Sequence, residues 1–303
     1  MNKAKKIALF LILTAVAASV FTASVSADMG PKPSVVVTFE NMPEGKCYGT
    51  LLSSRQSTGP YGVYDGTKET ERDTALDQPE AWRTFVDFSD ADGFYFLQTV
   101  WEVSFHKSIK WTYYPPEQFK ILLWYPDSGV FYESGIINKY AFDAYYTVDM
   151  AEAEGEGIIR ITERKSYDYS SEILSLIARI AATMVIEICV ALLFNLRTKN
   201  ALLVILAVNA VTQISLNVAL NIISFYSGGL YTMFWYFVLE PLIFIFEAAI
   251  YTVLLPKRAK KPHRAWFYIL YAFIANALSN RYRYDPYERY FYRTDRDYLI
   301  EIK

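Results

Sequence analysis

Ala201 to Leu255 limits the possible folds more than any other stretch. It holds two apolar segments separated by Ser227-Gly228-Gly229 and reads as a helical hairpin crossing a membrane. The first arm carries Asn209, Gln213, Asn217 and Asn221, one every four residues in an otherwise apolar run. The second arm carries Glu240 and Glu247 within LEPLIFIFEAAIY. An acidic residue at mid-bilayer costs roughly 2.5–3.5 kcal/mol on insertion scales, so these side chains must face protein or a wet cavity.

The rest of the 303-residue chain fits a two-part protein. Hydrophobic residues make up 53%, too many for one soluble domain and too few for a pure transporter. Met1 to Ala27 reads as a secretory signal peptide: Lys3, Lys5 and Lys6, then the apolar run Ile7 to Val20, then Val25-Ser26-Ala27 as cleavage site. An uncleaved anchor helix is the alternative. From Asp28 to Ser171 there are 23 Asp/Glu against 13 Lys/Arg, a balance of −10 that argues against nucleic-acid binding. Cys47 and Cys189 fall in different compartments on this layout and supply neither a disulfide nor a thiolate metal site.

Residues 28–165 predict an extracytoplasmic β-sandwich-like domain. Its strands are expected at Ser34–Glu40, Lys46–Leu52, Phe94–Thr99, Ser108–Tyr113, Gln118–Tyr125 and Ile136–Thr147, with a last one at Ile158–Thr162. Turns at Met42-Pro43-Glu44-Gly45, Gly59-Pro60, Pro115-Pro116 and Pro126-Asp127-Ser128-Gly129 separate them, and residues 75–88 read as an inserted helix.

Residues 166–280 predict an α-helical bundle of four transmembrane spans, at about 173–196, 201–226, 230–255 and 265–280. The fourth is short, about 24 Å at ~1.5 Å per residue. Arg197 and Lys199 lie in the first connection, and Lys257, Arg258, Lys260, Lys261 and Arg264 in the third; SGG has no charge. Cytoplasmic loops collect Lys and Arg, so the β-domain is expected outside a cell membrane, in agreement with the leader. The Tyr/Arg-rich tail, residues 281–303, would end outside if the fourth segment crosses.

Depth along the helices predicts an ion pair between Arg179 and Glu240. Glu187 and Glu247 lie deeper with no cation at their level, which points to carboxyls held protonated or bonded to amides. Asn209, Gln213, Asn217 and Asn221 drift about 40° per step and form one slanting seam, with Thr212 and Ser215 beside it. That seam serves either a polar pathway or interhelical hydrogen bonding at ~0.6 kcal/mol per contact. Pro241 removes a backbone donor and predicts a kink.

No catalytic residue, metal site or cofactor is expected. His106 and His263 are the only histidines, neither lies in a span, and no HExxH exists. Asp87, Asp90 and Asp92 before Gly93 look like a calcium loop, but the EF-hand register fails and a solvated turn is the better account. Strand aromatics are mostly core; Trp111, Tyr113, Tyr114 and Trp124 are candidates for an exposed ligand platform beside Pro115-Pro116.

The runs DMGPKPSVVVTFENM, YYPPEQFKILLWY, KYAFDAYYTVD, VNAVTQISLN and LEPLIFIFEAAIY resemble an uncharacterised family of Gram-positive bacterial membrane proteins. The resemblance implies a signal peptide, an outer β-domain and about four spans, and no reaction or substrate. It also implies that the amide and glutamate positions belong together. The expectation is a non-enzymatic envelope protein whose outer domain binds a protein or envelope ligand. Its bundle, in contact with lipid, would form a homo-oligomer or join a membrane complex. A small ion-coupled transport component using the intramembrane glutamates is the alternative, and a sensor feeding the Lys257–Arg264 loop the third.

Overall fold

The computed structural model describes residues 32–283 apart from 69, 73 and 156, with side chains described through 279. The leader reading and nearly all of the Tyr/Arg tail lie outside the described residues.

Two mixed sheets face each other across a common core. The first has strand order β12-β10-β1-β6: β1 (Ser34–Glu40), β6 (Ser108–Trp111), β10 (Asp143–Asp149) and β12 (Glu163–Lys165). The second runs β11-β8-β7-β2-β5: β2 (Tyr48–Ser53), β5 (Trp101–Glu102), β7 (Gln118–Tyr125), β8 (Val130–Ser134) and β11 (Ile158–Ile161), with β9 (Ile137–Asn138) also on β7. β3 (Ser57–Thr58) and β4 (Tyr61–Gly62) form a small separate hairpin. Pairing is antiparallel except for β1–β10 and β8–β11.

Alternation along the strands builds the core. Val35, Val37 and Phe39 of β1 meet Phe119, Ile121, Leu123 and Tyr125 of β7 in one buried cluster. The other face of the larger sheet, through Tyr48, Leu52, Leu122 and Trp124, is covered by a helical layer. That layer is α1 (Thr74–Asp77) and α2 (Pro79–Asp87), which buries Ala81, Trp82 and Phe85 on one side. The domain is therefore helix on sheet on sheet rather than a bare sandwich.

Two strand expectations change. Phe94–Thr99 forms only a single bridge, Ser53 to Tyr95. Gln98 there has φ 60°, and its buried amide donates to Gly62 O at 3.0 Å and Thr70 O at 2.9 Å, trading a ladder for a loop anchor. Ile136–Thr147 divides into β9 and β10, and β8 was not foreseen. A four-residue helix, α3 (Val103–His106), precedes β6.

The C-terminal part is helical: α4 (Tyr169–Leu193), α5 (Lys199–Leu254) and α6 (Ala265–Arg283). Asp168 caps α4 by accepting the Ser171 N–H at 3.1 Å. α5 is not one rod. At Gly228 φ is 78° and ψ 177°, a conformation essentially reserved for glycine, and the chain doubles back. Asn209 bonds Tyr251 and Thr212 bonds Glu247, so numbering rises on one arm as it falls on the other: the arms are antiparallel. Thr198, at the foot of the first arm, accepts from the Ala201 N–H and donates to Arg258 O, closing the base. Pro241 leaves the backbone within helical dihedrals, and the non-helical residue within α5 is Gly228, inside the expected Ser227-Gly228-Gly229 turn.

Two helices, α4 and α5, are long and apolar enough to cross a membrane; Ala265–Ser279 is a shorter apolar helix.

Candidate functional site

Most of the polar side chains singled out in the helical part turn inward, although Ser215 is exposed. Asn209, Gln213, Asn217, Glu187 and Glu247 are buried, and Asn221 is half-buried at the end of the ridge. Leu203, Val211, Ile214 and Val218 between them are exposed, as are Leu242, Ile245 and Val253 on the second arm. This inverts the polarity of a bundle that folds in water.

Glu247 is the centre. Its Oε1 accepts from Thr212 Oγ1 at 2.5 Å and its Oε2 from Asn276 Nδ2 at 2.6 Å, joining both arms of α5 to α6. Asn209 Nδ2 donates to Tyr251 Oη at 2.8 Å, and the Tyr251 ring lies 5.5 Å from that of Tyr271. Tyr271 Oη donates in turn to Glu187 Oε2 of α4 at 3.1 Å. Each helix contributes a polar group, and each bond crosses a helix–helix contact. Asn276 and Tyr271 were missed, although a lone Asn in FYILYAFIANALS carries the same polar-in-apolar signal as the seam. Arg179 and Glu240 are both half-buried, with the Nε and Nη2 of Arg179 and Oε2 of Glu240 shielded from the surface.

The β-domain sits on the tip of the hairpin. The Phe142 N–H donates to Phe225 O at 2.8 Å, and the Phe142 ring lies over Gly228, where a Cβ would come within 2.6 Å of it. Around Phe225 gather Tyr140, Tyr167, Tyr169 and Tyr226, with ring centroids 5.0–6.4 Å away. A cavity of about 440 Å³ opens beside this contact, lined by Pro33, Glu117, Lys139, Ala141, Phe142 and Tyr226. Lys139 pairs with Glu117 at 2.7 Å on its wall. The basic connections lie at the far end, where Thr198 meets Arg258.

The expected aromatic platform does not assemble. Trp111 points into the core between the sheets and Trp124 into the helical layer, because β6 and β7 present them to different faces. Tyr113 is half-buried and Tyr114 exposed; these two adjoin, with Lys32 over both rings.

The aspartate turn is also not simply solvated. The side chain of Asp90 is fully shielded, and its Oδ2 accepts the Asp92 and Phe94 N–H groups at 2.9 Å each. Lys120, in the middle of β7, reaches Asp90 at 2.6 Å, Asp92 at 2.7 Å and Glu133 at 2.9 Å. The ammonium occupies the place a cation would take. Among the described residues no group of three or more His, Cys, Asp or Glu is arranged for a metal ion. Asp87 stays exposed beside Arg83. A lysine within the largely apolar strand QFKILLWY was the unused clue.

Burial works to raise Asp90, but hydrogen bonds from Glu133 and Lys120 and from the Phe94 N–H outweigh it and hold the carboxyl at about 2. Burial and the bond to Asp90 push Glu133 up. The signs follow from linkage: Asp90 contributes stability that is present above pH ~4 and lost as pH falls toward 2. The raised Glu133 contributes stability present below its unfolded value and lost as pH rises through its folded one. In acid titration of the full-length protein, followed by tryptophan fluorescence, the Asp90→Asn variant should lose the destabilisation between pH ~4 and ~2 that the parent shows. That difference is on the order of 2 kcal/mol.

Comparison with known proteins finds no matching family model, no matching curated protein and no matching solved structure.

Proposed function

We propose that the chain is a multi-pass cell-envelope membrane protein, of the kind its resemblance suggests. In this reading four spans anchor a non-enzymatic outer β-domain that receives a protein or envelope ligand. The observation that carries this is a helical part polar inside and apolar outside, with the β-domain clamped to one end of it. Only 22% and 17% of the most apolar windows of α4 and α5 are buried, unlike core helices of a soluble protein. The two arms of α5 count as separate spans, and α6 as the fourth. Arg197, Lys199 and the Lys257–Arg264 loop lie at the end away from the β-domain, which supports a cytoplasmic face there. Arg179 and Glu240 pair within the bundle on this reading. The junction cavity is the candidate ligand site, close to where lipid headgroups would lie.

A reporter enzyme that works only outside the cytoplasm should be active when fused after Thr147 and silent when fused after Arg258. The reverse result would overturn the orientation. A photoreactive residue at Glu117, exposed on the cavity rim, should give one defined adduct in intact cells; unmodified protein after irradiation counts against ligand binding there.

A second reading, an ion-coupled membrane component, is favoured by Glu187 and Glu247, whose carboxyls are wholly buried between helices. Proteoliposomes carrying Glu247→Gln would keep protein and lose flux if it holds.

A further inference from the structure

Hydrogen counting around Glu247 distinguishes its two neighbours. Asn276 uses one amide hydrogen for Glu247 Oε2 and the other for Ala272 O at 2.9 Å. Turning that amide over would set its oxygen against two acceptors, so nitrogen must face the glutamate. Both of its hydrogens are committed. Thr212 has a single hydroxyl hydrogen and two acceptors in reach, Glu247 Oε1 at 2.5 Å and Asn209 O at 3.2 Å. One hydrogen cannot serve both.

We propose that Glu247 and Thr212 form a proton-binding site, in which Oε1 of Glu247 takes the proton and the Thr212 hydroxyl turns to suit. With the carboxyl ionised, Thr212 donates to Oε1. With a proton on Oε1, the carboxyl donates to Thr212 Oγ1, and the hydroxyl hydrogen swings to Asn209 O. Asn276 donates to Oε2 in both states. Every hydrogen has an acceptor either way, and no heavy atom has to move. A buried polar cluster satisfied in two protonation states can therefore load and release a proton without repacking.

A metal ion does not fit the same place. Donors already occupy both carboxylate oxygens and Asn276 presents nitrogen, whereas a hard cation such as calcium needs roughly six to eight oxygens. The titratable groups in the same layer are Tyr251 on the arm of Glu247, Tyr271 on α6 and Glu187 on α4; the first arm of α5 offers only Asn209, Thr212 and Gln213. Arg179 lies two turns from Glu187 along α4, about 12 Å at ~1.5 Å per residue. The site deepens the ion-coupled reading by naming the proton as its ion, yet proton binding is measurable without flux.

The test is infrared difference spectroscopy of the full-length protein in lipid bilayers, stepped through pH in H2O and D2O. The parent should show a carboxylic-acid C=O band that titrates and shifts down on deuteration. Glu247→Gln should lose the band and still fold, because its carboxamide donates to Thr212 and accepts from Asn276 as the neutral acid does. Thr212→Val, which removes the acceptor, should shift the band, and Thr212→Ser should restore it. A band identical in the parent and Glu247→Gln, or unmoved in Thr212→Val, overturns the site. If Glu247→Gln fails to accumulate, the Thr212 pair decides alone. Proton flux assayed on the same vesicles separates the two claims: a normal band without flux defeats ion coupling and leaves the site standing.

Discussion

Replacing Lys120 by Met should lower the stability of the β-domain by about 3–5 kcal/mol, the usual cost of removing one partner from a buried ionic cluster. Its side chain is 4% exposed, that of Asp90 is fully shielded and that of Glu133 is 14% exposed, so water cannot replace the ammonium. Methionine matches the length of the stem, and the lost packing is small. Asp90 and Glu133 are then left adjacent with no cation between them, and a proton held on Glu133 relieves their repulsion. The pH profile identifies the cause. Without the ammonium the folded state takes up a proton more readily than the unfolded chain, so stability of the variant rises as pH falls from 7 toward 5. A parallel, pH-independent drop in the denaturation midpoint would mean that packing alone was lost.

Gly228→Val should be the most damaging single change at the hairpin tip, by about 2–6 kcal/mol. Two costs combine. A β-branched residue at φ 78° and ψ 177° is strained by about 1–3 kcal/mol, and forcing a side chain against the Phe142 ring adds about 1–3 kcal/mol. They separate experimentally. Gly228→Ala should lower the thermal midpoint less, and adding Phe142→Ala should recover the steric share while leaving the backbone share. If Phe142→Ala recovers nothing, the ring does not set the clearance at Gly228, and the seat of the β-domain on the hairpin lies elsewhere. If the midpoint of Gly228→Val matches the parent, the tight turn is not required.

Much of this architecture was legible in local pattern. The amide ridge at four-residue spacing shares one helix face by geometry alone; Asn209, Gln213 and Asn217 are buried and Asn221 is half-buried at its end. Ser34–Glu40 and Gln118–Tyr125 are strands over the ranges their β-branched and aromatic residues marked. Ser227-Gly228-Gly229 signalled the reversal between two apolar arms, and glycine at position 228 is what its backbone requires. These features depend on residues near one another in the chain, where period and turn chemistry act directly.

What was not legible depends on partners far apart in sequence. Trp111 and Trp124 carry the same aromatic signal as Tyr114, and only the facing of β6 and β7 puts them inside. Asp90 read as a turn residue until Lys120, thirty positions later, was brought beside it with Glu133. Glu247 finds Thr212 across the hairpin and Asn276 on α6, separations of 35 and 29 residues. Residue identity alone marks which side chains cannot be left in an apolar medium, because burying a polar group alone costs free energy wherever it happens. Which group answers which is settled by the folded arrangement, since a hydrogen bond or ion pair needs its partner within about 3 Å and that distance is set by packing.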